Sequence, residues 1–321
     1  MSVQESQVQQ ALQTVLDPAT GKDLVGAKLI KNLRVEGFDV SFEVELGYPA
    51  NSAVPRLRQQ VIDAVRAVPG VRNVSAHVGW KVIAHAVQRG VPLLPGVKNV
   101  VAVASGKGGV GKSTTTANLA LALAAEGAKV GILDADIYGP SQPVMMGISG
   151  RPQSADGKTM EPMSNHGVEV MSIGFLVNDD QAMIWRGPMA TQALDQLLRQ
   201  THWGDLDYLL VDMPPGTGDI ALTLSQRVPL TGAVIVTTPQ DIALLDAKKG
   251  LSMFEKVGVP ILGIVENMAV YCCPNCGHTE HIFGADGGRR MAEQFKVDYL
   301  GALPLTMAIR EQADSGRPTV V

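Results

Sequence analysis

Residues 105–114 read SGKGGVGKST, and the segments on either side of them decide the architecture of the chain. Before them, VKNVVAVAS (97–105) is a short Val- and Ala-rich run; after them, TTTANLALALAAEG (114–127) has helix length and almost no turn residues. Gly106, Gly111, Lys112 and Ser113 fit G-x-x-x-x-G-K-[ST] in the strand–loop–helix setting that this phosphate-binding motif requires. Glycines let successive backbone N–H groups converge on phosphate oxygens, and the helix N-terminus adds partial positive charge. Gly106, Lys107, Gly108, Gly109, Val110, Gly111, Lys112, Ser113 and Thr114 are therefore expected to wrap a nucleotide, with Lys112 on the β- and γ-phosphates and the Ser113 hydroxyl on Mg²⁺. A plain glycine turn closing a strand leaves Lys112 and Ser113 unexplained. Lys107, five positions earlier, has no role in that motif.

Two further segments point to the same nucleotide. ILDADIYGP (132–140) ends an apolar run with Asp134 and Asp136, and YLLVDMPPGTGD (208–219) ends one with Asp212. Ligands of parallel α/β sheets bind at the carboxyl ends of the strands, which is where these carboxylates fall. Asp136 is expected to orient the attacking water, with Asp134 and Asp212 supporting the metal through water. A strand-end aspartate alone is weak evidence, since Asp is common in turns; three such elements near one loop carry more weight.

Further apolar runs, GAVIVTTP (232–239), VPILGIVEN (259–267) and VDYLGALPL (297–305), alternate with helix-length segments, as buried parallel strands with crossover helices do. The first ninety residues differ. VQQALQTVLDP and VPRLRQQVIDAVRAV have helical spacing, while KLIKNLRVEG, DVSFEVEL and VRNVSAHVG alternate with period two. QRGVPLLPGVKN (88–99) places Pro92 and Pro95 where neither helix nor central strand tolerates them. The expected fold is α/β: a P-loop NTPase domain over 98–321, its mostly parallel sheet flanked by helices, preceded by a small α+β domain over 1–90 and a linker over 91–97.

The 321 residues are 45% apolar, enough for two cores, and 27 basic against 31 acidic residues show no long run of one sign. That balance argues against a broad nucleic-acid or membrane surface. MSVQESQVQQ carries Glu5 and lacks the basic start and apolar core of a signal peptide, so a cytoplasmic protein is expected. The three cysteines, Cys272, Cys273 and Cys276, fall within five residues in CCPNCGHTEH (272–281), which is no disulfide framework. Tetrahedral zinc on Cys273, Cys276, His278 and His281, a redox pair, or half of an iron–sulfur site are all compatible with that spacing. Pro274, Asn275 and Gly277 mark the segment as an exposed turn rather than core.

Taken in order, KGGVGKST, DADIYGPS, WRGPM, DMPPGTGD, TTPQ, ENM and CPNC resemble the Mrp/ApbC iron–sulfur cluster carriers, within the deviant Walker A ATPases that include MinD, ParA and the nitrogenase iron protein. The resemblance spans residues 98–321, and the first 90 residues are similar to the small domain that these carriers share with iron–sulfur assembly factors. It implies an ATPase using ATP and Mg²⁺, with Lys107 reaching across a homodimer interface to the partner's phosphates. Asn267 is then expected to read the adenine, with Pro239, Gln240 and Asp241 along the nucleotide edge. It also implies that Cys273 and Cys276 of two subunits bridge a [4Fe–4S] cluster for transfer to apo iron–sulfur proteins, with cluster scaffolds as further partners. Cys272 has no counterpart in the simple pair. The small domain has no cysteine in ELGYPANSAVPRLRQ (45–59), so a docking or positioning role is expected of it.

Rival readings predict other features. A MinD-like membrane ATPase ends in a basic amphipathic helix, whereas REQADSGRPTVV is broken by Gly316 and Pro318. A ParA-like DNA-partition protein needs a basic surface that this charge pattern does not offer. A nucleotide-gated scaffold with a structural zinc knuckle would load zinc and leave ATP unhydrolysed.

Overall fold

A computed structural model describes residues 3–177 and 187–321; Trp185 and Arg186 of the WRGPM motif lie outside the described residues. The chain divides into two compact units, one of residues 1–83 with 125–128 and one of residues 84–124 with 129–321.

The smaller unit contains α1 (Glu5–Gln13), β1 (Ile30–Glu36), β2 (Asp39–Leu46), α2 (Val54–Arg66) and β3 (Asn73–Trp80). Period-two patterning sets its register: Val40, Phe42, Val44 and Leu46 of β2 point inward while Asp39, Ser41, Glu43 and Glu45 face out. β1 pairs antiparallel with β2, and α2 carries the chain back so that β3 runs parallel to β2 on its other side. Leu57, Val61 and Val65 of α2 recur at helical spacing and join Val8 and Leu12 of α1 on that inward face. Tyr48 and Trp80 pack partly buried against this core. The Tyr48 hydroxyl donates to Asp17, whose carboxylate also accepts Thr20 Oγ1 at 2.6 Å.

The larger unit runs β4 (Val97–Ala104), α3 (Lys112–Ala125), β5 (Val130–Asp134), α4 (Gln142–Met145), β6 (Met163–Asn165), β7 (Val168–Ser172), α5 (Gly187–Arg199), β8 (Leu206–Asp212) and α6 (Asp219–Arg227). It continues with β9 (Gly232–Thr237), α7 (Asp241–Lys256), β10 (Ile261–Glu266), β11 (Tyr271–Cys272), β12 (Thr279–Glu280), α8 (Gly287–Phe295), β13 (Tyr299–Ala302) and α9 (Met307–Asp314). Eight strands form one sheet in the order β13-β10-β9-β4-β8-β5-β7-β6, with every neighbouring pair parallel except β6–β7. Six of these strands are legible as apolar runs; β6 and β7 are not, because MSN and VEVMS are short and carry polar residues. They form a hairpin turning at His166 and Gly167, both with positive φ. β4, at the centre, is covered on both faces, which is why its last six residues are all buried.

Residues 84–96 form no strand or helix and lie on the larger unit. Gln88 Nε2 donates to the carbonyls of Ser225 and Val228 at 2.9 and 2.8 Å, and the His85 backbone N–H donates to Asn99 Oδ1 at 3.0 Å. Among the described residues no helix is long and apolar enough to cross a membrane.

Candidate functional site

Because β4, β5 and β8 are parallel neighbours, their carboxyl ends deliver the glycine loop, Asp134 and Asp212 to one edge of the sheet. Asp134 sits directly beside Asp212 in the β5–β8 ladder, and Asp212 faces Val103 in the β4–β8 ladder. The loop leaves β4 at Ser105 and enters α3 at Lys112. Its glycines have separate reasons. A Cβ on Gly106 would lie 2.1 Å from the Asp246 carbonyl carbon, so α7 backbone packs directly on the loop. Gly109 and Gly111 have φ of +81° and +83°, the left-handed region that a side chain disfavours. Val110 turns inward against Val103 and Val236 and anchors the loop to the core.

Lys112 is 6% exposed and Asp212 wholly buried, and their charges meet at 2.5 Å. Lys112 Nζ also lies 3.1 Å from Ser113 Oγ. Thr116 Oγ1 donates to the same Asp212 oxygen at 3.2 Å, and Gln142 Nε2 donates to the other at 2.8 Å. Asp136 is half-buried on the loop after β5; burial raises its carboxyl above the ordinary range, and the nearby Lys112 charge partly offsets this. Lys107 is also half-buried, and no carboxylate pairs with it among the described residues.

Asp134, expected to support the metal through water, is fully buried and accepts protein donors on both oxygens. Oδ1 accepts the Asp136 N–H at 3.2 Å; Oδ2 accepts the N–H groups of Ser141 and Gln142 and the Ser172 hydroxyl, each at 3.1 Å. Burial, then the Asp212 charge, pushes its carboxyl up to about 7. It fastens the Asp136 loop and the start of α4. Gln142, Thr116 and Ser172 were missed in the sequence, since nothing in their spacing marks them; only folding brings them to the carboxylates.

Asn267 is placed on the loop itself: its Nδ2 donates to the Val110 carbonyl at 2.9 Å, and a Cβ on Gly111 would lie 2.1 Å from that nitrogen. Pro239, Gln240 and Asp241 lead into α7. Pro239 is buried beneath Gly287 of α8, and Asp241 opens on a cleft of about 320 Å³ with Leu245, Lys248 and Arg290.

Cys272 ends β11, and the β11–β12 hairpin presents Cys273 and Cys276 on its turn. Backbone N–H groups of Asn275 and Cys276, then the Cys276 thiol, hold the Cys273 thiol below the usual cysteine range. His281 Nδ1 lies 2.6 Å from the Ala269 carbonyl oxygen. Among the described residues no three His, Cys, Asp or Glu side chains converge to hold a metal ion, so the four-ligand zinc arrangement is not assembled within one chain. The hairpin is rooted on both sides: Ala269 N–H donates to Leu303 O, Leu305 N–H to Val270 O, and Gly288 N–H to the buried Glu266 carboxylate.

A parallel sheet with a glycine loop at its central strand, a lysine at the start of the following helix and an aspartate at the end of the adjoining strand defines a P-loop nucleotide-binding protein. Within that class the chain belongs to the family described as NUBPL iron-transfer P-loop NTPases, which matches residues 96–321; residues 5–78 match the family of iron–sulfur cluster assembly proteins. It is 53% identical over 319 residues to the iron–sulfur cluster carrier protein of Haemophilus influenzae, covering 99% of this chain and 86% of that one. It is 56% identical over 237 residues to the mouse iron–sulfur cluster transfer protein NUBPL, covering 72% and 74%. A solved nucleotide-binding protein of Archaeoglobus fulgidus in complex with ADP superposes with a TM-score of 0.62 at 41% identity, covering 69% of this chain and 88% of that one.

Proposed function

We propose that the protein hydrolyses MgATP and, as a homodimer, carries a [4Fe–4S] cluster that it passes to apo iron–sulfur proteins. The observation that carries this reading is a hairpin turn bearing a half-buried Cys273 and an exposed Cys276, with no third or fourth protein ligand among the described residues, in the same unit as a P-loop. A cubane cluster takes four thiolates, and a two-fold axis through the turn supplies the same pair twice. The names of the relatives support the cargo.

At the nucleotide site, the loop N–H groups and Lys112 seat the β- and γ-phosphates. Reaching them would draw Lys112 away from Asp212; Ser113 and the freed Asp212 carboxylate would then hold Mg²⁺, which would neutralise charge on the phosphates. Asp136, on the loop that Asp134 fastens, orients the attacking water. Lys107 of each subunit stabilises the charge developing on the partner's γ-phosphate, as an arginine finger does. Asn267, Pro239, Gln240 and Asp241 border the base.

The test is anaerobic reconstitution of wild type and of Cys272→Ala, Cys273→Ala and Cys276→Ala, with iron, sulfide and zinc analysis, oligomeric state and activation of an apo iron–sulfur enzyme. About four irons per dimer are expected for one bridging cluster, kept in the first variant and lost in the other two. A monomer holding one zinc would overturn the reading.

A further inference from the structure

The nucleotide edge and the cysteine hairpin lie on different strand connections, yet short contacts at either end of α9 join them through that helix. It begins at α4. The N–H groups of Ser141 and Gln142 donate to Asp134 Oδ2, both at 3.1 Å, while Gln142 Nε2 bridges the Ser113 carbonyl at 3.0 Å and Asp212 Oδ2 at 2.8 Å. Gln142 is fully buried, and among the described residues neither its Oε1 nor the Ser141 hydroxyl has a hydrogen-bond partner. The start of α4 thus touches the loop residue expected to hold Mg²⁺ and the carboxylate that Lys112 must release, with two orphaned polar atoms that a rearrangement would repartner.

The other end of α4 meets α9. Gly147 and Gly316 pack backbone to backbone: a Cβ on Gly147 would lie 2.9 Å from Gly316 O, and one on Gly316 would lie 2.6 Å from Gly147 Cα. Both have positive φ, +62° and +72°. Asn165 Nδ2 holds the Met146 carbonyl at 2.8 Å from the other side. At its start, α9 follows Leu305 by two residues; Leu305 N–H donates to Val270 O at 2.8 Å and Leu305 bridges Tyr271, the first residue of the cysteine hairpin. Packed contacts of this kind move as units rather than deforming continuously.

We propose that α4 and α9 form a relay that makes the position of the Cys273–Cys276 turn depend on nucleotide, with Gly147 and Gly316 as its joint and Gln142 as the positioning residue at its nucleotide end. It rests on the reading of those cysteines as the ligating pair only for its purpose; the coupling itself is measurable without a cluster.

The experiment uses reduced, metal-free full-length protein in a Cys272→Ser background and follows alkylation of Cys273 and Cys276 by iodoacetamide, with and without a saturating Mg²⁺ complex of a non-hydrolysable ATP analogue. The expected response is a change in rate on the order of fivefold, the lower end of ordinary coupling between sites. Gly147→Ala and Gly316→Ala, which wedge the joint from opposite sides, should bind the analogue as before and lose most of the response. Asn165→Ala leaves both glycines in place, removes the hydrogen bonds to the Met146 and Gly147 carbonyls and the one accepted from His166 N–H, and should reduce the response, which keeps the test open if a glycine variant does not fold. Unchanged alkylation in the parent protein would overturn the relay, as would full responses in the variants. Light scattering on the same samples decides the remaining case: a response that follows dimer formation alike in parent and variants also overturns it. A nucleotide response in a protein that reconstitutes no cluster would leave the relay standing and remove the carrier reading.

Discussion

Lys112 Nζ lies 2.5 Å from Asp212 Oδ1, and neither group has significant contact with solvent. The lysine expected to seat ATP is thus paired with the carboxylate expected to face the metal, so nucleotide binding is predicted to exchange one partner for another instead of recruiting a free cation. Removing one partner of such a pair leaves a buried charge uncompensated, at a cost of about 3–5 kcal/mol.

The two loop lysines should therefore separate cleanly. Lys112→Ala is expected to weaken nucleotide binding and also to lower the melting temperature of the nucleotide-free protein, through the stranded Asp212. Lys107→Ala, at a half-buried position without a carboxylate partner among the described residues, should leave both unchanged and lower kcat on the order of a hundredfold or more. Calorimetric titration, thermal melts and phosphate release measure the three quantities; equal loss of affinity in both variants would refute the division.

Gly106→Ala tests the contact between the loop and α7. With the Asp246 carbonyl carbon 2.1 Å from the new Cβ, backbone on one side must move. Nucleotide affinity should fall by more than tenfold even though no phosphate-binding group is removed. Gly108→Ala, whose added carbon would meet nothing closer than 4.0 Å, is the control.

Asp136→Asn should retain Mg²⁺-dependent nucleotide binding and lose hydrolysis, because the amide keeps the size of the side chain and loses its basicity. Single-turnover assays separate the two. Wild-type turnover in the variant would transfer the water-orienting role elsewhere.

Asp134 predicts a pH dependence of stability. Burial, then the neighbouring Asp212 charge, raises its folded carboxyl to about 7 from an ordinary 3.8. Between those values the folded chain holds a proton that the unfolded chain has released, so this group's stabilisation is full below about pH 4 and is lost as pH rises to about 7. Asp134→Asn stays neutral throughout and should lack that fall. Urea melts from pH 4 to 8 that show the same slope in both proteins would refute the assignment.

Much of this architecture was legible in the chain because it is locally encoded. The alternation in DVSFEVEL, the spacing in VPRLRQQVIDAVRAV and the apolar runs ending in Ala104, Asp134 and Asp212 each reflect a period or a run that one element needs to bury its own face. The β6–β7 hairpin escaped because strands of three and five residues hold too few positions for a pattern to emerge.

Sequence by itself determined that a phosphate loop, two strand-end aspartates with Asp136 just beyond one of them, and a C-x-x-C turn exist, since each is a spacing within a few residues of chain. Only the tertiary structure decided what those groups touch. Asp134 and Asp136 look equivalent in DAD, yet the first is sealed beneath Ser141, Gln142 and Ser172 and the second is left half-exposed beside Lys112. The partners of Asp134 come from 7, 8 and 38 residues away, and Gln142 reaches an aspartate 70 residues away. Burial and hydrogen-bond partnership are properties of such long-range neighbours. A local motif therefore specifies which chemistry is present, and the packing of distant segments determines which carboxylate performs it.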